Sequence, residues 1–192
     1  MDVDDELAGI ARLQRGDIGG LEPLVRRYHA RAVRCAYLVV HDHALALDIA
    51  QSAFVRVFER IDTFETRRPF APWFFKIVLR DARKAAERRA RNAPAQAPAT
   101  AGTTQAVADP EPGPEDLWER RELAQAVVAA LAALPPVERV AIVQRYYLGL
   151  SEAEIAAIAR TPLGTVKWRL HAARERLRPL LQQISPESEV LK

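Results

Sequence analysis

The chain has 192 residues, 49% of them hydrophobic and 28% charged, with 28 Lys and Arg against 25 Asp and Glu for a net charge of +3. This apolar fraction excludes a wholly disordered chain, and the length suits one domain or two small ones. The single cysteine, Cys35, excludes an intrachain disulfide and a multi-cysteine zinc site, so packing alone must hold the fold. Residues 1–7 carry Asp2, Asp4, Asp5 and Glu6 in place of a basic stretch leading into an apolar one, so no secretory signal is readable. No apolar run approaches the roughly eighteen residues of a membrane span, and a cytoplasmic protein is expected.

In chain order, residues 21–40 show a helical apolar period with Leu24, Tyr28, Val33, Tyr37 and Leu38 as the expected core side, and Cys35 as a small buried residue within it. Ala50, Ala53, Phe54, Val57, Phe58 and Ile61 recur at steps of three and four, the pattern of an amphipathic helix. Between these helices His41-Asp42-His43 lacks further His or Cys neighbours in sequence, so an exposed turn is expected there and no metal site. Residues 92–116 hold five Pro, seven Ala and no aromatic, and cannot bury a core. Their charges, Asp109, Glu111, Glu115 and Asp116, are all acidic, whereas residues 67–91 carry nine basic against two acidic residues. A 25-residue tether of this kind reaches about 80 Å when extended, so it separates a domain at 1–91 from one at 117–182, with a tail at 183–192.

Beyond the tether a helix is expected over 118–133, ended by Pro135-Pro136, which opens another helix running to about Tyr147 with Gly149 as its stop. Ser151 and Glu154 have the capping-box spacing, starting a short helix with Ile155, Ala156 and Ile158 inward. Thr161 as cap and Pro162 at the first helical position start a last helix that buries Val166, Leu170, Ala173 and Leu177. No alternating strand pattern interrupts this series, so the fold class is all-α: two small helical domains joined by a flexible linker.

The pair of helices joined by 159–161 has the dimensions of a helix-turn-helix, whose second helix enters the major groove. Lys167, His171, Arg174 and Arg178 form a cationic stripe on that helix, one residue round from the buried stripe, with Arg169 and Arg176 nearby. In the first domain, seven of the thirteen aromatics fall between Phe54 and Phe75, beside Arg67, Arg68, Lys76, Arg80, Arg83 and Lys84. Aromatic faces beside cations are what unstacked single-stranded DNA needs. Phe54, Phe58, Trp73 and Phe74 are expected in the core.

Two ordered sets of motifs carry a resemblance. Leu134-Pro135-Pro136-Val137-Glu138-Arg139, Gly149-Leu150-Ser151, Glu154-Ile155-Ala156 and Gly164-Thr165-Val166-Lys167 resemble the fourth region of bacterial extracytoplasmic-function sigma factors. Arg15-Gly16-Asp17, Leu24-Val25-Arg26-Arg27-Tyr28, Asp48 with Gln51, Arg68-Pro69-Phe70 and Trp73-Phe74-Phe75-Lys76-Ile77 resemble the second region of the same family. The resemblance implies that Asp48, Gln51 and Arg56 contact the clamp of the largest subunit of core RNA polymerase. It implies that Phe64, Arg67, Arg68, Lys76, Arg80, Arg83 and Lys84 meet minus-ten DNA, with 64–68 between the two helices as the loop that captures a flipped base. Thr165, Lys167, Trp168, Arg169, His171 and Arg174 are the corresponding minus-thirty-five set, and an anti-sigma factor is an expected partner. The chain departs from the family pattern at Ser52, Arg80, Lys84, Trp168 and Ala172; the ring of Trp168 can pack on a thymine methyl but cannot donate like a hydroxyl to a base edge.

No Gly-rich phosphate loop, nucleophile elbow or paired-carboxylate constellation is present, so neither an enzyme activity nor a cofactor is expected. Two alternatives come from other classes. A stand-alone helix-turn-helix regulator would bind duplex DNA tightly without polymerase, and a module that sequesters another regulator would have no DNA-dependent function.

Overall fold

The computed structural model describes residues 3–92 and 114–184, so most of the expected tether and the tail from residue 185 lie outside the described residues. Among the described residues the elements are helical and no strand occurs, as the periodicity predicted. Contacts divide the chain into two compact units, Met1–Arg88 and Arg89–Lys192.

The first unit contains α1 (Val3–Gln14), α2 (Leu21–Val40), α3 (His43–Arg60) and α4 (Phe70–Asn92, whose last residues cross the boundary). Asp17 organises the turn between α1 and α2: its Oδ2 accepts from Arg12 Nε at 2.7 Å and its Oδ1 from the Gly19 amide at 2.8 Å. The Arg12 bond, then the amide, hold the Asp17 carboxyl below its ordinary range. Gly9 and Gly20 face each other there, and a Cβ on Gly20 would collide with the Gly9 carbonyl, so α1 meets the turn backbone to backbone. The phenol of Tyr28 donates to Glu6 Oε2 at 2.5 Å, and burial followed by this bond pushes its pKa up to about 12.

The buried stripe of α2 departs from the expected one. Leu24 and Tyr28 are buried, but the stripe continues through Ala32, Cys35, Ala36, Val39 and Val40, while Val33, Tyr37 and Leu38 are half-buried. The physical reason lies in small residues: α2 and α3 pack along one another, and α3 also buries Ala46, Ala50 and Ala53. Small side chains let helices approach closely, which an apolar period weighted to large residues does not register. Cys35 is fully buried, as expected, and desolvation raises its thiol pKa. The turn 41–43 is a pair of caps: His41 ends α2 in the left-handed region (φ 54°), and Asp42 Oδ1 accepts the Leu45 amide at 2.9 Å to start α3. His41 is half-buried and only His43 is exposed, so the triplet is less open than expected.

An aromatic core joins these helices. Phe54 and Phe74 lie 4.7 Å apart between ring centroids, and Tyr28 sits 5.5 Å from Phe70. Phe70 and Phe74 are almost wholly buried, each contributing about 2–3 kcal/mol by removal of apolar area from water. Phe54 and Phe74 are core as expected, whereas Phe58 and Trp73 are half-buried.

The second unit contains α5 (Pro114–Ala132), α6 (Pro136–Ile142), α7 (Glu152–Ala159) and α8 (Leu163–Ile184). α6 continues to Tyr147 as expected, but its last turn, Val143–Tyr147, widens to π geometry before Gly149 turns the chain at φ +72°. The capping box is complete: the Glu154 amide donates to Ser151 Oγ at 3.2 Å, and the Ser151 amide to Glu154 Oε2 at 2.8 Å. Ile155 is buried, with Ala156 and Ile158 half-buried. The cap of α8 is displaced by one residue. Thr161 donates its hydroxyl back to the Ala159 carbonyl at 3.2 Å, and the Pro162 carbonyl accepts the amides of Thr165 and Val166. Val166, Leu170, Ala173 and Leu177 are all buried as expected.

Candidate nucleic-acid interface

Three surfaces carry the expected contact residues. On α3, Asp48, Gln51 and Ser52 are exposed on one face with Val55, which is 56% exposed. Val55 is the one large apolar side chain on this otherwise polar face among the described residues. Arg56, one turn beyond Ser52, is at the margin of this group: it is half-buried and forms an ion pair with Asp81 of α4, whose side chain is largely covered.

The second surface is the loop before α4 and the outer side of that helix. Phe64 does not project from the loop. It is buried 5.2 Å from Trp73 and 5.5 Å from Phe70, so it pins the loop from inside rather than offering a stacking face. This placement departs from the expectation for Phe64, because a ring flanked by Phe70 and Trp73 gains more from burial than from solvent. Glu65, Thr66, Arg67, Arg68 and Pro69 remain exposed above it, with Arg68 Nε bound to Glu65 at 2.9 Å. Along α4, Lys76 and Lys84 are exposed, Arg80 is half-buried, and Arg83 pairs with Glu87 at 3.2 Å. Burial, then the neighbouring Arg56 and Arg60 charges, lower the Arg80 pKa from its ordinary value.

The third surface is α8. At about 100° per residue, Lys167, His171, Arg174 and Arg178 lie roughly a quarter-turn from the buried stripe, and Trp168 lies nearly opposite it. Lys167, Trp168 and His171 are exposed, Trp168 by 63%, while Thr165, Arg169 and Arg174 are half-buried. Arg178 is paired with Glu175 at 2.9 Å. Arg176 turns away from this group to Glu138 at 3.2 Å, and Glu138 is only 3% exposed.

Sequence reasoning missed three supporting residues. Asp81 holds Arg56, Glu138 anchors Arg176, and Arg139 caps α5. Arg139 donates from Nε to the Leu131 carbonyl at 2.9 Å and from Nη2 to those of Ala132 and Leu134 at 2.9 and 2.8 Å. Asp81 had a visible signal, as one of two carboxylates among the nine cations of 67–91. Glu138 and Arg139 stood in the motif Leu134–Arg139 that carries the resemblance, but nothing local marked them as buried, since charged residues are ordinarily exposed.

Family models for Sigma-70 region 2 and Sigma-70 region 4 match residues 24–92 and 124–177, one in each unit. The ECF RNA polymerase sigma factor SigW of Bacillus subtilis is 32% identical over 183 residues, spanning 91% of this chain and 96% of that protein. The chain belongs to the ECF family of RNA polymerase sigma factors. The RNA polymerase sigma-H factor of Pseudomonas aeruginosa is 30% identical over 93% of this ECF sigma factor and 95% of its own length. Among solved structures, CnrH in complex with the cytosolic domain of CnrY superimposes with a TM-score of 0.66 at 25% identity, covering 94% of this chain and 99% of that one. The fold is shared also with the sigma factor RpoE of Bartonella quintana, solved with the anti-sigma factor NepR, at a TM-score of 0.61 over 84% of this chain and 96% of that one. No helix among the described residues is long and apolar enough to cross a membrane.

Proposed function

We propose that this ECF sigma factor docks on the core polymerase clamp through Asp48 and Gln51 on α3, with Val55 as the apolar anchor between polar contacts. Arg56 then acts beside that face, through its pair with Asp81, and becomes available to polymerase only by exchanging that partner. Arg67, Arg68, Lys76, Arg80, Arg83 and Lys84 take the minus-ten element, with the loop 65–69 capturing an unstacked base and Phe64 holding that loop in shape. Lys167, His171 and Arg174 bind phosphates of the minus-thirty-five element, and Thr165 and Trp168 face base edges, with Arg169 at the margin. The observation that carries this reading is the α8 arrangement: four buried apolar residues fix the helix while a cationic stripe stays open to the major groove.

The factor performs no chemistry itself, phosphodiester formation being the work of polymerase, and it acts in the cytoplasm where polymerase and promoter meet. An anti-sigma factor is inferred as a third partner because the docking faces on α3 and α8 are open in the chain alone. The residue assignment on α3 is tested by co-sedimentation with core polymerase. Asp48→Arg should abolish association while circular dichroism stays unchanged; undiminished association would place the clamp contact elsewhere.

A further inference from the structure

The groove between α3 and α4 has a charge that its own carboxylates do not neutralise. It forms an open cleft of about 540 Å³, with Arg56 and Arg60 entering from α3 and Arg80, Lys84 and Arg88 from α4. Against these five cations stand Asp48 and Asp81, a net of +3. Asp81 is committed to Arg56 and makes only a long contact of 3.4 Å to Arg80 Nε. Among the described residues no carboxylate lies within ion-pair distance of Arg60, Lys84 or Arg88. Arg80 is the most constrained of them, half-buried with the positive charges of Arg56 and Arg60 beside it. Like charges held together on two packed helices favour any polyanion that enters between them.

We infer that the α3–α4 cleft binds a small anion carrying linked phosphates. The cleft is open and lined mainly by charged side chains, and guanidinium forks match phosphate oxygens in paired hydrogen bonds. No aromatic side chain lines the cleft, whose apolar wall is limited to Leu45, Ile49 and Ala85. A base therefore finds nothing to stack on, and recognition falls on the phosphates. Arg80, Lys84 and Arg88 recur at four-residue steps along α4, about 6 Å apart along its axis, so linked phosphates can reach two of them where a single oxyanion reaches one. Asp48, Arg80 and Lys84 also belong to the proposed polymerase and minus-ten contacts, so competition with either would rest on that reading. The binding itself does not.

The test is calorimetric titration of the full chain with sodium tripolyphosphate near 0.15 M salt, with sodium sulfate and a single-stranded oligonucleotide as parallel arms. Saturable one-to-one tripolyphosphate binding is expected, weakened about tenfold in each of Arg80→Ala and Lys84→Ala, the scale of one charge-assisted hydrogen bond. Arg26→Ala, an exposed site on α2, should stay within about twofold of the parent, and sulfate should bind far more weakly. Circular dichroism melting identifies any variant that is unfolded, and the exposed Lys84 keeps one arm independent of packing. Absence of saturable binding overturns the inference, as does equal weakening by Arg26→Ala. An oligonucleotide response to Arg80 and Lys84 without tripolyphosphate binding would overturn it too, giving the cleft to the DNA backbone.

Discussion

Replacing Arg139 by Ala isolates one side chain on which the architecture of the DNA-binding unit depends. Its guanidinium donates to the carbonyls of Leu131 and Ala132 at the end of α5 and of Leu134 just beyond it; the Leu131 carbonyl also accepts the Leu134 amide at 3.1 Å. Each such bond from a charged donor is worth about 1.5–3 kcal/mol net, so three give at least about 4.5 kcal/mol. Burial works the other way: it pushes the Arg139 pKa down to about 10, still cationic at neutral pH, and truncation removes that penalty. Water also reaches part of the exposed end, so the expected loss is about 3 kcal/mol, a large share of the stability of a small unit. Urea unfolding followed by circular dichroism measures it. Arg139→Lys should recover little, since one ammonium cannot span three carbonyls in the geometry of a planar fork. A loss below about 1 kcal/mol for Arg139→Ala would refute the cap.

Other consequences follow from the same contacts. Ser151→Ala should cost about 1 kcal/mol by removing the cap of α7, measured by urea midpoint. The Glu154 carboxyl is held below its ordinary 4.5, first by the Ser151 hydroxyl and then by the Ser151 amide. Its contribution is therefore full above about pH 4.5 and lost as pH falls through the lowered folded value. The midpoint difference between the parent and Glu154→Gln should shrink over that window, and a difference constant with pH would contradict the cap. Lys167→Ala and Arg174→Ala should each weaken minus-thirty-five binding and reduce the salt slope by about 0.9, one phosphate contact; an unchanged slope would remove that residue from the DNA backbone. Phe64→Ala should lower stability by about 3 kcal/mol through the cavity beside Phe70 and Trp73, and an undiminished melting temperature would return Phe64 to the exposed loop.

Much of the fold was legible because it is written in local rules. The Ser151–Glu154 box, the Val166–Leu177 stripe and the amphipathic 50–61 segment need only helix geometry, and all three took the expected form apart from the half-buried Phe58. The α2 core was misjudged because close crossing with α3 selects alanines, which a period of large apolar residues overlooks. Thr161 looked like a cap, but its hydroxyl turned back to Ala159, and Phe64 looked like a loop residue until Phe70 and Trp73 closed round it. The α2 and Phe64 outcomes depend on tertiary neighbours, whereas the Thr161 bond spans only two residues and is a local alternative to capping. The candidate surfaces were legible as charge on helix faces, whereas the ion pairs that hold Arg56 and Arg176 aside join residues 25 and 38 positions apart, beyond any local pattern.

The most direct measurement is abortive initiation by purified core polymerase, with and without this sigma factor, on promoter fragments enriched from genomic DNA of the source organism. Short transcripts that require the factor, start at discrete sites and disappear with Asp48→Arg are the expected result. Tight, polymerase-independent selection of duplex fragments with no initiation would contradict it and make the chain a stand-alone regulator.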